Sequence, residues 1–184
     1  MNIANFLTIL RLSFPFFLCF ICILRLELYI EKSLILILFI LFSITDFFDG
    51  FFARKLNQET IFGKIFDPIS DKILSSCALI YILTFENSIL IPTILIIFRE
   101  FLVSGNREYM ITTKSSEIKV IFLSKIKTTL QFISISLFLA QHLLKKYFEI
   151  YDIGLVCLWI ATILTIYTGI KYSYITFFSN HKRK

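Results

Sequence analysis

The chain has 184 residues, 57% of them hydrophobic and 17% charged, with 22 phenylalanines and a mean hydropathy of +0.80. Soluble domains are nearer half apolar with about a quarter of their residues charged, so this composition excludes a soluble globular domain and predicts one all-α integral membrane domain over residues 1–184. The net charge of +6 bears on membrane orientation, because basic residues gather in cytoplasmic loops beside anionic headgroups. No basic soluble face is left for nucleic acid.

In lipid the backbone must satisfy its own hydrogen bonds, so each apolar run reads as a helix. Six such runs follow in order, at 6–24, 33–53, 65–85, 88–103, 120–144 and 153–178. The first has a polar start before its apolar stretch, as a signal peptide does. No small-residue cleavage site follows, and RLELYIEK leads directly into the second run, so it reads as a retained span. Cys19, Cys22, Cys77 and Cys157 all lie in apolar runs and read as small packing residues rather than a redox or metal pair. His142 and His181 fall at or beyond the end of a run, a poor placement for a ligand pair.

The connections alternate in charge. One set holds Arg54, Lys55, Lys64, Arg107, Lys114 and Lys119, with Lys182, Arg183 and Lys184 in the tail. The other holds Arg25, Lys32, Lys145 and Lys146. The richer set is expected on the cytoplasmic side, which places both termini there and makes a cytoplasm-facing polar cavity where four helix ends converge.

The stretch SITDFFDGFFARKLNQETIFGKIFDPISDK carries Asp46, Asp49, Asp67 and Asp71. Spacings of three and four residues put each pair on one helix face. The short connection makes the two helices antiparallel neighbours, so the pairs face each other. Bare carboxylates at a helix centre in lipid cost about 2.5–3.5 kcal/mol each, less near the interface. Hard divalent cations offset both that cost and the mutual repulsion, and their remaining coordination positions suit phosphate oxygens. Gly50 and Ala53 leave a slot for a ligand, Gly63 does the same at the turn, and Arg54 offers a planar fork to phosphate.

Residues Asp46 to Asp71 fit D-x2-D-G-x2-A-R-x8-G-x3-D-x3-D without departure, a pattern that resembles the CDP-alcohol phosphatidyltransferase family. The resemblance implies six transmembrane helices around a cytoplasmic-facing cavity, a homodimer, and two Mg²⁺ or Mn²⁺ ions held by Asp46, Asp49, Asp67 and Asp71. It implies a CDP-lipid site at Gly50, Ala53, Arg54, Gly63, Asn5 and Thr8, with Asp71 as the general base toward an acceptor hydroxyl. The residues alone select metal and phosphate; CDP comes from the resemblance.

Three further stretches, NIANFLTILRL, REFLVSGNR and SKIKTTLQ, resemble the members of that family that transfer a phosphatidyl group from CDP-diacylglycerol to glycerol 3-phosphate. Ala4 and Ser124 depart from the usual Pro and Gly of those stretches. Asn5, Thr8 and Arg11 share one face of the first helix. A dianionic acceptor needs fixed cations, and Arg107, Lys125 and Lys127 are expected to supply them, with Thr128 adding a hydroxyl. For Lys125 the alternative is snorkelling to headgroups. Arg99 and Glu100 read equally as ligands or as an ion pair orienting their helix. The resemblance places the protein in a bacterial-type inner membrane.

The alternative acceptors within the family are phosphatidylglycerol, serine or an inositol compound, and an uncharged acceptor would not need three cations together. A divalent-cation transporter would carry acids at mid-span and on both sides, whereas here they cluster at one end. A structural membrane protein has no use for the aspartate spacing.

Overall fold

A computed structural model describes residues 3–55, 61–112, 122–143 and 149–179. The described residues form helices α1 (Ile3–Leu12), α2 (Phe14–Ile23), α3 (Leu28–Lys55), α4 (Ile61–Ile82), α5 (Leu90–Thr112), α6 (Phe122–Ala140) and α7 (Glu149–Ser179), with a 3₁₀ turn over Asn87–Ile89 before α5. Among the described residues, each of the six apolar runs falls mostly on helix. Among the described residues, four stretches are long and apolar enough to cross a membrane: Asn5–Ile23, Leu28–Thr45, Asn87–Met110 and Glu149–Thr176. The two remaining long helices, α4 and α6, carry the charged residues Asp67, Asp71, Lys72, Lys125 and Lys127.

The first run is broken where α1 meets α2. Pro15 in the first turn of α2 has no N–H to donate, and Ser13 Oγ turns back to the Leu10 carbonyl at 2.6 Å. Arg25, at φ 47°, then reverses the chain into α3, the left-handed conformation that commonly follows a helix end. Pro68 lies inside α4 between Asp67 and Asp71 and cannot donate to the carbonyl one turn back.

The core is built from apolar faces of α2, α3, α4 and α6. Phe14 meets Phe39 and Phe42 edge-on at 6.4 and 5.9 Å between ring centroids. Leu74, Leu79, Ile82, Ile135 and Leu139 are fully enclosed beside them. Outward positions such as Phe16, Phe98, Phe101 and Ile170 are exposed and apolar, as a lipid-facing surface requires. Helix α7 packs most extensively on α6 and then on α5. Small residues allow this close approach: Ser134 Oγ donates to the Gly154 carbonyl at 2.7 Å across α6 and α7. Between α5 and α7, Asn106 donates to Ser173 at 2.9 Å.

The bundle sorts its polar groups. At one end Thr8 and Arg11 bond to Asp67 and Asp71, and Arg99 and Lys127 bond to Glu100. At the other end Tyr81 donates to Glu31 at 2.8 Å, and the Lys32 ammonium lies 3.5 Å from the Phe85 ring centre.

Candidate active site: a cation-lined cavity beside the aspartates

At the polar end a cavity of about 210 Å³ opens between α4, α5 and α6. Helix α4 contributes Asp71, Lys72 and Ser75; α5 contributes Arg99, Glu100 and Arg107; α6 contributes Ser124, Lys127, Thr128 and Gln131. Four cations (Lys72, Arg99, Arg107 and Lys127) thus face two carboxylates (Asp71 and Glu100). The excess positive charge, held between apolar helices, attracts a small anion.

Beside the cavity, and sharing Asp71 with its lining, lies an acid–base joint between α1 and α4. Arg11 is 0% exposed and donates from Nη1 to Asp71 Oδ1 at 2.8 Å and from Nη2 to Asp67 Oδ1 at 3.4 Å. Thr8 Oγ1 donates to the same Asp67 oxygen at 2.6 Å. The two carboxylates stand one turn apart, so a planar guanidinium can reach both. Their side chains remain 43% and 40% exposed.

One wall of the cavity is a chain of buried charge. Glu100 Oε1 accepts from both Arg99 Nη1, at 3.0 Å, and the Lys127 ammonium. Arg99 Nη2 continues to Thr168 Oγ1 on α7 at 2.9 Å. A Cβ built on Gly169 would stand 2.8 Å from Arg99 Cγ, so the absence of a side chain there makes room for the arginine. Lys72 donates to Ser104 Oγ, which in turn donates to the Glu100 carbonyl at 3.0 Å.

The structure brings Asp71, Arg107, Lys127 and Thr128 to one cavity and puts Asp67 and Thr8 beside it. It separates the two lysines of α6. Lys127 is 2% exposed at the cavity, while Lys125 is exposed and absent from the lining, because residues two apart on a helix do not share a face. Thr128 Oγ1 donates to the Lys125 carbonyl at 2.8 Å, so it offers the cavity an acceptor. Gly63 is buried in the first turn of α4, and Asn5 is half-buried on α1. Asp46, Asp49, Gly50, Ala53 and Arg54 lie on the last turns of α3, and their side chains fall outside the described residues. Arg99 and Glu100 form the ion pair that one sequence reading expected, and both line the cavity.

Of the polar lining residues, Lys72, Ser75 and Gln131 were given no site role from the sequence. Lys72 and Ser75 carry no signal of their own there. Gln131 had one: it lies four residues beyond Lys127 and so shares its face.

Among the described residues no three metal-ligating side chains gather. Asp67 and Asp71 nonetheless supply hard carboxylate oxygens on a partly exposed face, the donor type that Mg²⁺ and Mn²⁺ take. Among the described residues, the contacts of Asp67 all fall on Oδ1. The donor set therefore fits a hard divalent ion.

Comparison with known proteins gives the family. Residues 1–167 match the family model for CDP-alcohol phosphatidyltransferase. A Rickettsia felis protein named CDP-diacylglycerol–glycerol-3-phosphate 3-phosphatidyltransferase is 43% identical over 175 residues, 93% of each chain. Proteins of the same name from Wigglesworthia glossinidia brevipalpis and Bacillus subtilis are 38% identical over 179 residues (95% of this chain, 94% of the relative) and 41% identical over 138 residues (74% and 69%). With an aspartate-bearing helix pair beside a cation-lined cavity, and matches running through nearly its whole length, the chain belongs to the CDP-alcohol phosphatidyltransferase family.

Proposed function

We propose that the protein transfers a phosphatidyl group from CDP-diacylglycerol to glycerol 3-phosphate, forming phosphatidylglycerophosphate and CMP. The observation that carries this reading is the cavity that Asp71, Arg107 and Lys127 line together. A dianionic acceptor needs fixed cations, and an uncharged acceptor does not. The names of the relatives agree with it.

Arg107 and Lys127 hold the acceptor phosphate, with Thr128 at its edge and exposed Lys125 adding positive charge at the approach. Glu100 and Arg99 orient Lys127. The sn-1 hydroxyl of glycerol 3-phosphate gives its proton to an oxygen of Asp71. The freed oxygen attacks the phosphorus that bears diacylglycerol, the bond from that phosphorus to the CMP oxygen breaks, and CMP leaves. Asp46, Asp49, Asp67 and Asp71 would hold two Mg²⁺ or Mn²⁺ ions, which when bound supply charge neutralisation for the diphosphate. Asn5, Thr8, Gly50, Ala53, Arg54 and Gly63 form the CDP-lipid site. Thr8 and Arg11 fix the α4 carboxylates by their hydrogen bonds. The reading includes six membrane-crossing helices, a cytoplasm-facing cavity, both termini in the cytoplasm, a bacterial-type inner membrane and a homodimer. The alternation of basic connections supports the orientation.

The test is transfer by purified protein in detergent. CDP-diacylglycerol and Mg²⁺ or Mn²⁺ are supplied, and glycerol 3-phosphate, serine, inositol phosphate and phosphatidylglycerol are offered separately. CMP release with labelled lipid from glycerol 3-phosphate alone, abolished by EDTA, is the expected result. Transfer to a different alcohol would overturn the acceptor and leave the family chemistry standing.

A further inference from the structure

Helix α7 carries none of the candidate site residues read from the sequence, yet it reaches the cavity wall through Arg99. Thr168 and Tyr172 lie four residues apart, and Gly169 and Tyr172 three, so they share one face of the helix. That face holds the arginine. Thr168 Oγ1 accepts from Nη2 at 2.9 Å, and the Tyr172 ring centre lies 5.9 Å from the guanidinium carbon. Gly169 leaves the space that the arginine stem passes through. Thr168 is fully buried, and its hydroxyl is set as an acceptor. Its proton goes to its own helix, with the Leu164 carbonyl at 2.8 Å and the Thr165 carbonyl at 3.1 Å, which leaves its lone pairs for Arg99.

This contact decides how Arg99 holds Glu100. A guanidinium beside a carboxylate commonly makes two parallel bonds, one to each oxygen. Here Nη1 alone reaches Glu100, on Oε1, because Nη2 is turned to Thr168. Lys127 donates to the same Oε1. Among the described residues, neither Glu100 Oε2 nor Arg99 Nε makes a hydrogen bond. Without the Thr168 acceptor, Nη2 becomes a buried donor with no partner, which is costly. The second oxygen of Glu100 then offers it an acceptor, and a bond there turns the carboxylate away from Lys127.

From these relations we infer that Thr168 is a positioning residue for acceptor recognition. By taking one donor of Arg99 it keeps Glu100 shared with Lys127, and so holds the Lys127 ammonium at the cavity. The inference rests on the proposed function for the identity of the anion that Lys127 meets.

Removing the acceptor without changing the shape tests this role. Thr168→Val is expected to raise KM for glycerol 3-phosphate about fivefold, within the range carried through such packed networks, and KM for CDP-diacylglycerol by less than about twofold. Thr168→Ser is expected to return the first KM to its original value, and Thr168→Ala to raise it as Val does, which decides the matter if the Val variant fails to fold. Thr162 supplies the control. It is as buried on the same helix, and its hydroxyl donates to its own Leu158 carbonyl at 2.7 Å. Thr162→Val is expected to leave both KM values within about twofold. In a Lys127→Ala background, Thr168→Val is expected to have no further effect on the acceptor KM, because the two residues act on one interaction. An unchanged acceptor KM in the Val and Ala variants, an equal rise in Thr162→Val, no recovery in Thr168→Ser, or a rise that persists without Lys127 overturns the inference. Calorimetry with inorganic phosphate gives a readout that needs no acceptor alcohol. Its Kd is expected to rise about fivefold in Thr168→Val and to stay put in Thr162→Val. That pattern in a protein without glycerol 3-phosphate transfer would refute the proposed acceptor alone. Unchanged phosphate binding in Thr168→Val, or none by the unmodified protein, overturns the role of Thr168.

Discussion

Arg11, with no exposed surface, donates to Asp71 at 2.8 Å across the joint between α1 and α4. A buried guanidinium is kept only where its donors find acceptors, and here a residue of the first helix is satisfied by a carboxylate assigned to the chemistry. The N-terminal helix is thereby part of the site.

Arg11→Ala removes a buried cation and leaves Asp67 and Asp71 without their shared donor. Thermal unfolding in detergent should show a lower Tm, and transfer should fall at saturating substrate. Arg11→Lys keeps the charge without the planar fork, so it should recover part of the Tm and less of the activity. Equal activity in all three proteins would remove Arg11 from the site.

Asp71→Asn keeps the shape of the side chain and removes its capacity to take a proton. Turnover should fall by about a hundredfold or more, the low end of what a positioned base contributes. Binding of CDP-diacylglycerol, followed by titration calorimetry, should change far less. Near-normal turnover would move the base elsewhere.

The lysines of α6 give a paired test. A charge-assisted hydrogen bond is worth about 1.5–3 kcal/mol, so Lys127→Ala should raise KM for glycerol 3-phosphate about tenfold or more. Lys125 is exposed outside the cavity, and Lys125→Ala should change that KM by less than about twofold, as an exposed charge would. The reverse order would place the acceptor on the other face of α6.

Glu100 carries two cations on one oxygen. Glu100→Gln leaves Arg99 and Lys127 buried with excess charge, and breaking such a pair costs about 3–5 kcal/mol. Circular dichroism melts should record the loss of Tm. Adding Lys127→Met should restore part of it, since the two changes act on one interaction.

Gly169→Ala puts a Cβ 2.8 Å from Arg99 Cγ. Overpacking typically costs about 1–3 kcal/mol, and here the displaced side chain belongs to the charge chain behind Lys127. Tm should drop, and KM for glycerol 3-phosphate should rise more than KM for the lipid donor.

The helices were legible in the sequence because lipid leaves the backbone few options, but their ends were not. Helix α5 runs to Thr112 and α4 starts at Ile61, each several residues beyond its apolar run. Helical hydrogen bonding persists where the side chains turn polar, and hydropathy sees only the side chains. The break at Ser13 was likewise invisible to hydropathy, although Pro15 marked it. The aspartate spacing and the Lys127 region were readable as a site. What was not readable was which partners met: Arg11 lies 60 residues from Asp71 in the chain, and Arg99 meets Thr168 69 residues away. Such pairings depend on how α1 seats on α4 and α7 on α5, which local periodicity does not encode.

Helix α3 has 28 residues, about 42 Å at 1.5 Å per residue, against a hydrocarbon layer of about 30 Å. Its 18-residue apolar stretch ends at Thr45 and accounts for most of that layer. The turns that follow, with Asp46 and Asp49, therefore stand as a ledge at headgroup height. Under the proposed function, such a ledge lets a water-borne solute and a bilayer-anchored one meet while each stays in its own solvent, and neither must be dragged across a phase boundary before they react.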